Sequence, residues 1–349
     1  MENFYVIRLF LLTTLSFLTA IAWTPLLIHY LYKYRLGKGI RDAQEAPIFS
    51  RMHQGKAGTP TMGGILVWGT VLGLVLIFYY LGLFFEGPFG RYNFLSRGQT
   101  LLPLGALVAS AIVGLIDDLF DVWRVGHRGG GLRMRHRFVI YGIIALVGAW
   151  WFYAKLDWTT LHVPFMGNFD IGSWYILFFL FIIISTAHSV NITDGLDGLA
   201  GGTLLMAFGA YGAIAFAQGR YDLATLCGVI VGALLAFLWF NINPARFFMG
   251  DTGSMSLGVT LGIIAMLTNA ALLLPVIGFV FVIESMSVIV QTFSKKIRKK
   301  KIFLSSPIHH HLEAIGWPEA KIVMRVWVVA GVAAVIGLII YLVDSGGYL

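Results

Sequence analysis

Apolar runs of about 20 residues, each long enough to cross a bilayer as one helix, recur along the whole chain with short polar segments between them. In lipid such runs must satisfy their own backbone hydrogen bonds, so they are expected to be helices. Of the 349 residues, 58% are hydrophobic and 12% charged, against roughly 25% charged in soluble domains. That is too little polar surface to coat a water-soluble globule. Ten spans are predicted, at 6–31, 62–85, 100–116, 138–155, 174–190, 199–217, 223–240, 254–269, 270–292 and 323–343. The first contains a cleavage-like Ala20-Ile21-Ala22, but it is too long for a signal peptide and ends in Lys33 and Arg35, as a retained span does. Only Asn269 and Pro275 separate the eighth span from the ninth. Cys227, the single cysteine, lies in an apolar run and is read as packing.

Lysine and arginine orient the spans. Twenty of the 25 basic residues fall on one side, in the expected loops 32–61, 117–137, 191–198, 241–253 and 293–322 or beside them. The other side carries Arg8, Arg91, Arg97, Lys155 and Arg220. The basic side is therefore assigned to the cytoplasm, with both termini periplasmic. The net charge of +8 is then mostly an orientation signal, and nucleic-acid binding is disfavoured. The fold class expected is an all-α integral membrane protein of about ten helices, in one polytopic domain.

Carboxylates beside membrane spans are costly and usually face a cavity or a partner. Here they gather where spans meet the basic side. Asp117, Asp118 and Asp121 follow the third span; on a continuing helix Asp117 and Asp121 are i,i+4. Their mutual repulsion would be relieved by a divalent cation, or, in the simpler reading, by pairing with Arg124 at a solvated helix end. Asn191, Asp194, Asp197 and several glycines form a second group, whose backbone amides could approach a phosphate or nucleoside. The third runs from Phe240 to Ser254, with Asp251, Asn241, Asn243, Arg246, Phe247 and Phe248; either phenylalanine could stack on a base. For the aspartates of both groups an N-cap is the plainer alternative. His309, His310 and His311 invite a zinc reading, but successive residues point apart, and an anionic phosphate or peptide carboxylate suits them better. Glu284, the one acid deep in a span, is expected against a neighbouring helix or a polar cavity. Hard carboxylate ligands suit Mg²⁺, and Lys56, Arg135 and Arg137 on the same side could hold a diphosphate. Together these features point to phosphoryl transfer onto a membrane-embedded acceptor, with the active-site cleft on the cytoplasmic side.

The segments Gly58-Thr-Pro-Thr-Met-Gly-Gly64, Asp117-Asp118, Asn191–Gly201, Phe237–Ser254, and Pro307–Glu313 with Gly316-Trp317-Pro318 resemble those of the phospho-N-acetylmuramoyl-pentapeptide transferases. These belong to the superfamily that moves N-acetylhexosamine 1-phosphates to polyprenyl phosphate. The resemblance covers nearly the whole chain. It implies Mg²⁺, a homodimer in the bacterial inner membrane, UDP-N-acetylmuramoyl-pentapeptide as donor, undecaprenyl phosphate as acceptor and UMP as leaving group. By the same resemblance Asp117, Asp118 and Asp251 are catalytic, with Asp251 the metal ligand and Asp117 set to deprotonate or orient the lipid phosphate. Asn191, Asp194, Gly195, Leu196, Asp197 and Phe248 would form the uridine pocket. Lys56, Arg137, Asn241, Gln291, His309, His310 and His311 would line the diphosphate and sugar site. The chain departs from the family pattern at Asp121, Arg137 and His188. Competing readings are a related transferase using another UDP-sugar, an intramembrane prenyltransferase suggested by the DDxxD spacing of Asp117, Asp118 and Asp121, and a transporter.

Overall fold

The computed structural model describes residues 2–37, 56, 58–85, 88–126 and 130–346. Lys38, Arg41, Arg51 and Arg128, four of the basic residues used for orientation, lie outside the described residues. The main elements are α1 (Glu2–Lys33), α2 (Gly64–Phe84), α3 (Leu101–Val122), α4 (Met134–Trp150), β1 (Thr160–Val163), β2 (Gly167–Asp170), α5 (Trp174–Thr193) and α6 (Leu199–Ala217). They continue with α7 (Tyr221–Asn241), α8 (Asp251–Leu267), α9 (Leu274–Ile277), α10 (Phe279–Ile297), α11 (Ile308–Ala314) and α12 (Glu319–Gly346). Eight of the described helices are long and apolar enough to cross a membrane, as expected of a multi-pass membrane protein.

The two remaining spans of the sequence reading differ from expectation. The ninth is broken: Ala271–Ile277 and Phe279–Ile297 meet at 82° across Gly278. Glycine is a poor helix former, and the break lets Ile277 seat against Gly337 of α12. The eighth corresponds to α8, whose 17 residues are all buried. α8 is the central post of the bundle, packed along α3 and α5 and touching α2 and α6. Its hydroxyls find carbonyl partners: Ser256 and Thr260 donate within the helix to Thr252 and Ser256 O, at 2.6 and 2.8 Å, and Thr252 donates to Ala111 O of α3 at 2.8 Å.

Between helices in lipid the attraction comes from close packing, which small residues permit. Gly64 of α2 lies directly on the backbone of Gly253, Gly114 of α3 on that of Asp251, and Gly258 on Ala187 of α5. The N-terminal half of α8 is thereby held from three sides.

Helix ends also shift from the expected loop boundaries. α3 runs on to Val122 because Asp-Asp-Leu-Phe-Asp contains no breaker, and it ends only where Arg124 turns left-handed at φ 55°. The aspartates thus lie on the helix and not in the 117–137 loop. α5 reaches Thr193 and α10 reaches Ile297, shortening the 191–198 and 293–322 loops.

The expectation of an all-α chain misses one hairpin. β1 pairs antiparallel with β2, Thr160 opposite Asp170, at the bundle end away from the aspartates. It is latched to its surroundings by His162, whose Nε2 lies 2.5 Å from Asp344 Oδ2 and Nδ1 2.8 Å from Asn168 Oδ1. The backbone N–H of His162 donates to Asn269 and that of Phe165 to Asp344. Partial burial opposes charging of His162, but the hydrogen bonds to Asp344 and Asn168 and the Asp344 charge outweigh it, so its pKa lies above the ordinary 6.5.

Two predictions follow from this packing. Gly64→Ala drives a methyl group into the Gly253 backbone, whereas Gly73 has nothing within 4 Å. Gly64→Ala should lower the melting temperature by the equivalent of about 1–3 kcal/mol while Gly73→Ala leaves it unchanged or slightly raised. For the latch, a raised folded-state pKa means the stabilisation is complete below pH 6.5 and is lost as pH rises through the folded value. Melting curves should show this loss in the wild type and a flatter profile in His162→Gln.

Candidate active site

Four segments meet at the N-terminus of α8. Asp118 supplies the link from α3: its Oδ1 and Oδ2 accept the backbone N–H groups of Asp251 and Thr252, each at 3.0 Å. These are among the donors that a helix start leaves without intrahelical partners, and the carboxylate also complements the helix dipole. Gly250, at φ 73°, has no room for a side chain, because a Cβ there would press on Asp118, Thr61 and Met62. The Thr-Pro-Thr-Met-Gly-Gly segment braces the same turn through its backbone. Phe248 N–H donates to Pro60 O at 2.8 Å, Gly63 N–H to Phe248 O at 2.7 Å and Gly64 N–H to Met249 O at 2.8 Å.

Asp251 is thereby fixed beside Asp117. Arg137 of α4 lies between their carboxylates, with Nε 2.6 Å from Asp117 Oδ2 and Nη1 2.8 Å from Asp251 Oδ2. Asn191 of α5 donates to Asp251 Oδ1 at 2.8 Å and to Ser254 Oγ at 2.9 Å. Asp117 Oδ1 accepts Leu132 N–H at 2.6 Å. This centre holds three carboxylates, from Asp117, Asp118 and Asp251, and one guanidinium. Among the described residues no set of three or more His, Cys, Asp or Glu side chains is arranged to hold a metal ion. Magnesium needs fewer, since it is commonly held by one or two carboxylates with water and substrate phosphate. Asp117 and Asp251, adjacent hard-oxygen donors, fit such an ion.

The three aspartates at the end of α3 do not converge, as the DDxxD reading would need. Asp117 and Asp121 face the 130–132 strap, and Asp118 faces α8. His188, one turn before Asn191, stacks on Phe138 of α4 with centroids 4.3 Å apart.

A second polar centre lies at the 191–198 loop. Lys56 Nζ is 2.7 Å from Asp197 Oδ1 and 2.5 Å from Glu319 Oε1, and sits 5.9 Å from the centre of the Phe248 ring. Asn243 donates to Asp197 Oδ2 at 2.9 Å and Glu319 Oε2 at 3.1 Å. Phe247 is buried in the core, so of the two phenylalanines Phe248 is the one at the site. Glu319 was not singled out from the sequence; its place at the start of α12, straight after the Gly-Trp-Pro segment, was the available signal.

Several expected ligand residues are engaged elsewhere. Asn241 accepts Gly198 N–H at 2.9 Å and donates to Phe247 O at 2.8 Å, tying two loops together. Gln291 donates to Phe303 O and accepts Ile302 and Phe303 N–H, which holds the turn after α10. Leu196 packs in a small apolar cluster with Leu199, Ile322 and Val323. The three histidines take three partners: His309 Nδ1 pairs with Glu284 at 2.8 Å, His310 Nδ1 with Glu313 at 2.7 Å, and His311 Nδ1 accepts Leu304 N–H at 3.3 Å. Glu284 thus finds its partner on α11. His309 Nε2 is pressed against Gly195, which joins the histidine helix to the 191–198 loop. Asp194 lies in the turn after α5, partly exposed.

Asp118→Ala removes the acceptor of two buried N–H groups, each worth about 1–3 kcal/mol when left unsatisfied. Thermal unfolding in detergent should register that loss, whereas Asp251→Asn, which keeps the α8 start intact, should melt within a few degrees of wild type.

Comparison with known proteins bears on this arrangement. Residues 100–269 match the model for glycosyl transferase family 4, and residues 56–66 match signature 1 of the phospho-N-acetylmuramoyl-pentapeptide transferases. That signature is the segment that braces the start of α8. A phospho-N-acetylmuramoyl-pentapeptide-transferase of Geobacillus thermodenitrificans is 41% identical over 326 residues, covering 93% of this chain and 95% of the relative. One from Bacillus anthracis is 39% identical over 93% of this chain and 95% of its own length. One from Chloroflexus aggregans is 36% identical over 96% and 90%. With this degree of identity along nearly its full length, the chain belongs to the phospho-N-acetylmuramoyl-pentapeptide-transferase family.

Proposed function

We infer that the chain transfers phospho-N-acetylmuramoyl-pentapeptide from its UDP-linked donor to undecaprenyl phosphate, giving the first lipid-linked peptidoglycan precursor and UMP. The observation that carries the site assignment is the bridging of Asp117 and Asp251, from helices distant in sequence, by the single guanidinium of Arg137. A phosphoryl-transfer site needs charge of both signs held at fixed positions, because positioning and electrostatic stabilisation supply most of the rate.

In this reading Asp251, with Asp117 beside it, would hold Mg²⁺, which when bound would neutralise charge on the donor diphosphate. Asp117 orients the acceptor phosphate and takes its proton. Arg137, now shared between two carboxylates, turns toward the transferring phosphoryl group. Asp118 acts through Asp251 by fixing the start of α8, and Asn191 holds the Asp251 carboxylate in place. The Lys56 centre takes the nucleoside end: Asp197 and Glu319 offset the lysine charge, so a neutral ring suits it better than a diphosphate, and Phe248 offers the stacking face. The basic end of the bundle faces the cytoplasm of the bacterial inner membrane, and the enzyme works as a homodimer.

The test is UMP release by the purified full chain with UDP-N-acetylmuramoyl-pentapeptide, undecaprenyl phosphate and Mg²⁺. Wild type should release UMP, stop when EDTA is added, resume with excess Mg²⁺, and ignore UDP-N-acetylglucosamine. Asp251→Asn should lower kcat at least a hundredfold while remaining folded. Turnover retained in that variant removes Asp251 from the mechanism, and efficient use of UDP-N-acetylglucosamine replaces the donor assignment.

A further inference from the structure

We propose that Glu319 is a positioning residue that assembles the nucleotide pocket. One carboxylate, on the first residue of α12, ties together three segments far apart in sequence. Its Oε1 lies 2.5 Å from Lys56 Nζ and accepts Asp197 N–H at 2.7 Å, while Oε2 accepts from Asn243 Nδ2 at 3.1 Å. Lys56 precedes α2, Asp197 lies between α5 and α6, and Asn243 lies between α7 and α8. Asp197 closes the same ring from the other side, through Lys56, Asn243 and Ala245 N–H.

The consequence is an aimed ammonium group. Lysine has three N–H donors and no acceptor. Glu319 and Asp197 take two, leaving the third for an acceptor atom near the Phe248 ring, 5.9 Å away. Without Glu319 the long lysine side chain regains rotamer freedom, and the ordering must then be supplied on binding. The Asp197 N–H and the Asn243 amide lose their shared acceptor at the same time, so two loops of the pocket loosen together. α12 itself is anchored independently. Ile322 and Val323 pack with Leu196 and Leu199, and Trp327 donates from Nε1 to Gly198 O at 3.0 Å. Loss of the carboxylate therefore leaves the helix in place and disturbs only what the carboxylate touches.

The inference rests on the nucleotide reading of the Lys56 centre, and it predicts a selective effect. Glu319→Ala should raise the KM for UDP-N-acetylmuramoyl-pentapeptide about tenfold or more. Its KM for undecaprenyl phosphate and its melting temperature should stay close to wild type. Glu319→Gln keeps an oxygen acceptor for Asp197 N–H and loses the charge on Lys56, so its donor KM should fall between the two. Because Glu319 acts largely through Lys56, the double variant Lys56→Ala/Glu319→Ala should be little worse than Lys56→Ala alone. The idea is overturned if Glu319→Ala binds donor like wild type, or if both KM values and the melting temperature shift together, as for a general brace. Should Glu319→Ala fail to fold, the same comparison is made on Glu319→Gln, where an unchanged donor KM overturns the proposal. A wild type that shows no UDP-sugar-dependent release of UMP refutes the nucleotide reading itself, a result distinct from either outcome for Glu319.

Discussion

The site depends on the start of one buried helix. Every residue of α8 is buried, and its first N–H groups open where water is scarce. Buried donors without partners are expensive, and Asp118 meets two of them with both oxygens of a single carboxylate. That contact sets the position of Asp251, because Asp251 is itself the first residue of the capped helix. The glycine contacts with α2, α3 and α5 serve the same end by bringing three backbones within reach of the α8 start. The short Thr-Pro-Thr-Met-Gly-Gly segment adds a backbone ladder to Phe248 and Met249. A stretch without a catalytic side chain is thereby explained: its contribution is the shape of the turn that carries Asp251 and Phe248.

The electrostatics divide the site into two unlike halves. Among the described residues around Arg137, carboxylates outnumber the guanidinium, which favours a further cation and, with it, phosphate. Around Lys56, the lysine is already matched by Asp197 and Glu319, so little attraction for an anion remains and a flat, neutral, hydrogen-bonding group is the better occupant. The end of α5 and the short loop after it connect the halves, with Asn191 of α5 reaching Asp251 on one side and Asp197 accepting from Lys56 on the other. A substrate that spans both would be read at its charged and uncharged ends by one short stretch of chain.

Residue type points to segments that the fold brings together, but not to the contacts that each side chain makes. Asn241 and Gln291 are polar and near the site, yet their amides are filled by backbone partners that hold loops. An amide in a loop has the same appearance in sequence whether it faces a ligand or a neighbouring peptide group. Asp118 and Asp117 are adjacent in sequence and face different ways, because successive helical positions are rotated by about 100°. Glu319 carries no strong signal, since its partners arrive from three separate segments.

The membrane-embedded helical architecture, the gathering of acids, asparagines and histidines at the basic end, and the family are all legible in the amino-acid sequence. Those follow from local properties: run length, charge placement and motif spelling. Helix assembly was needed to bury α8 on every side, to bend the chain by 82° at Gly278, and to let Asp117 and Asp251 share Arg137. The same assembly holds Lys56 between two carboxylates. Each of these depends on which helix faces which, and small-residue contacts between helices settle that choice through distances that no single segment encodes.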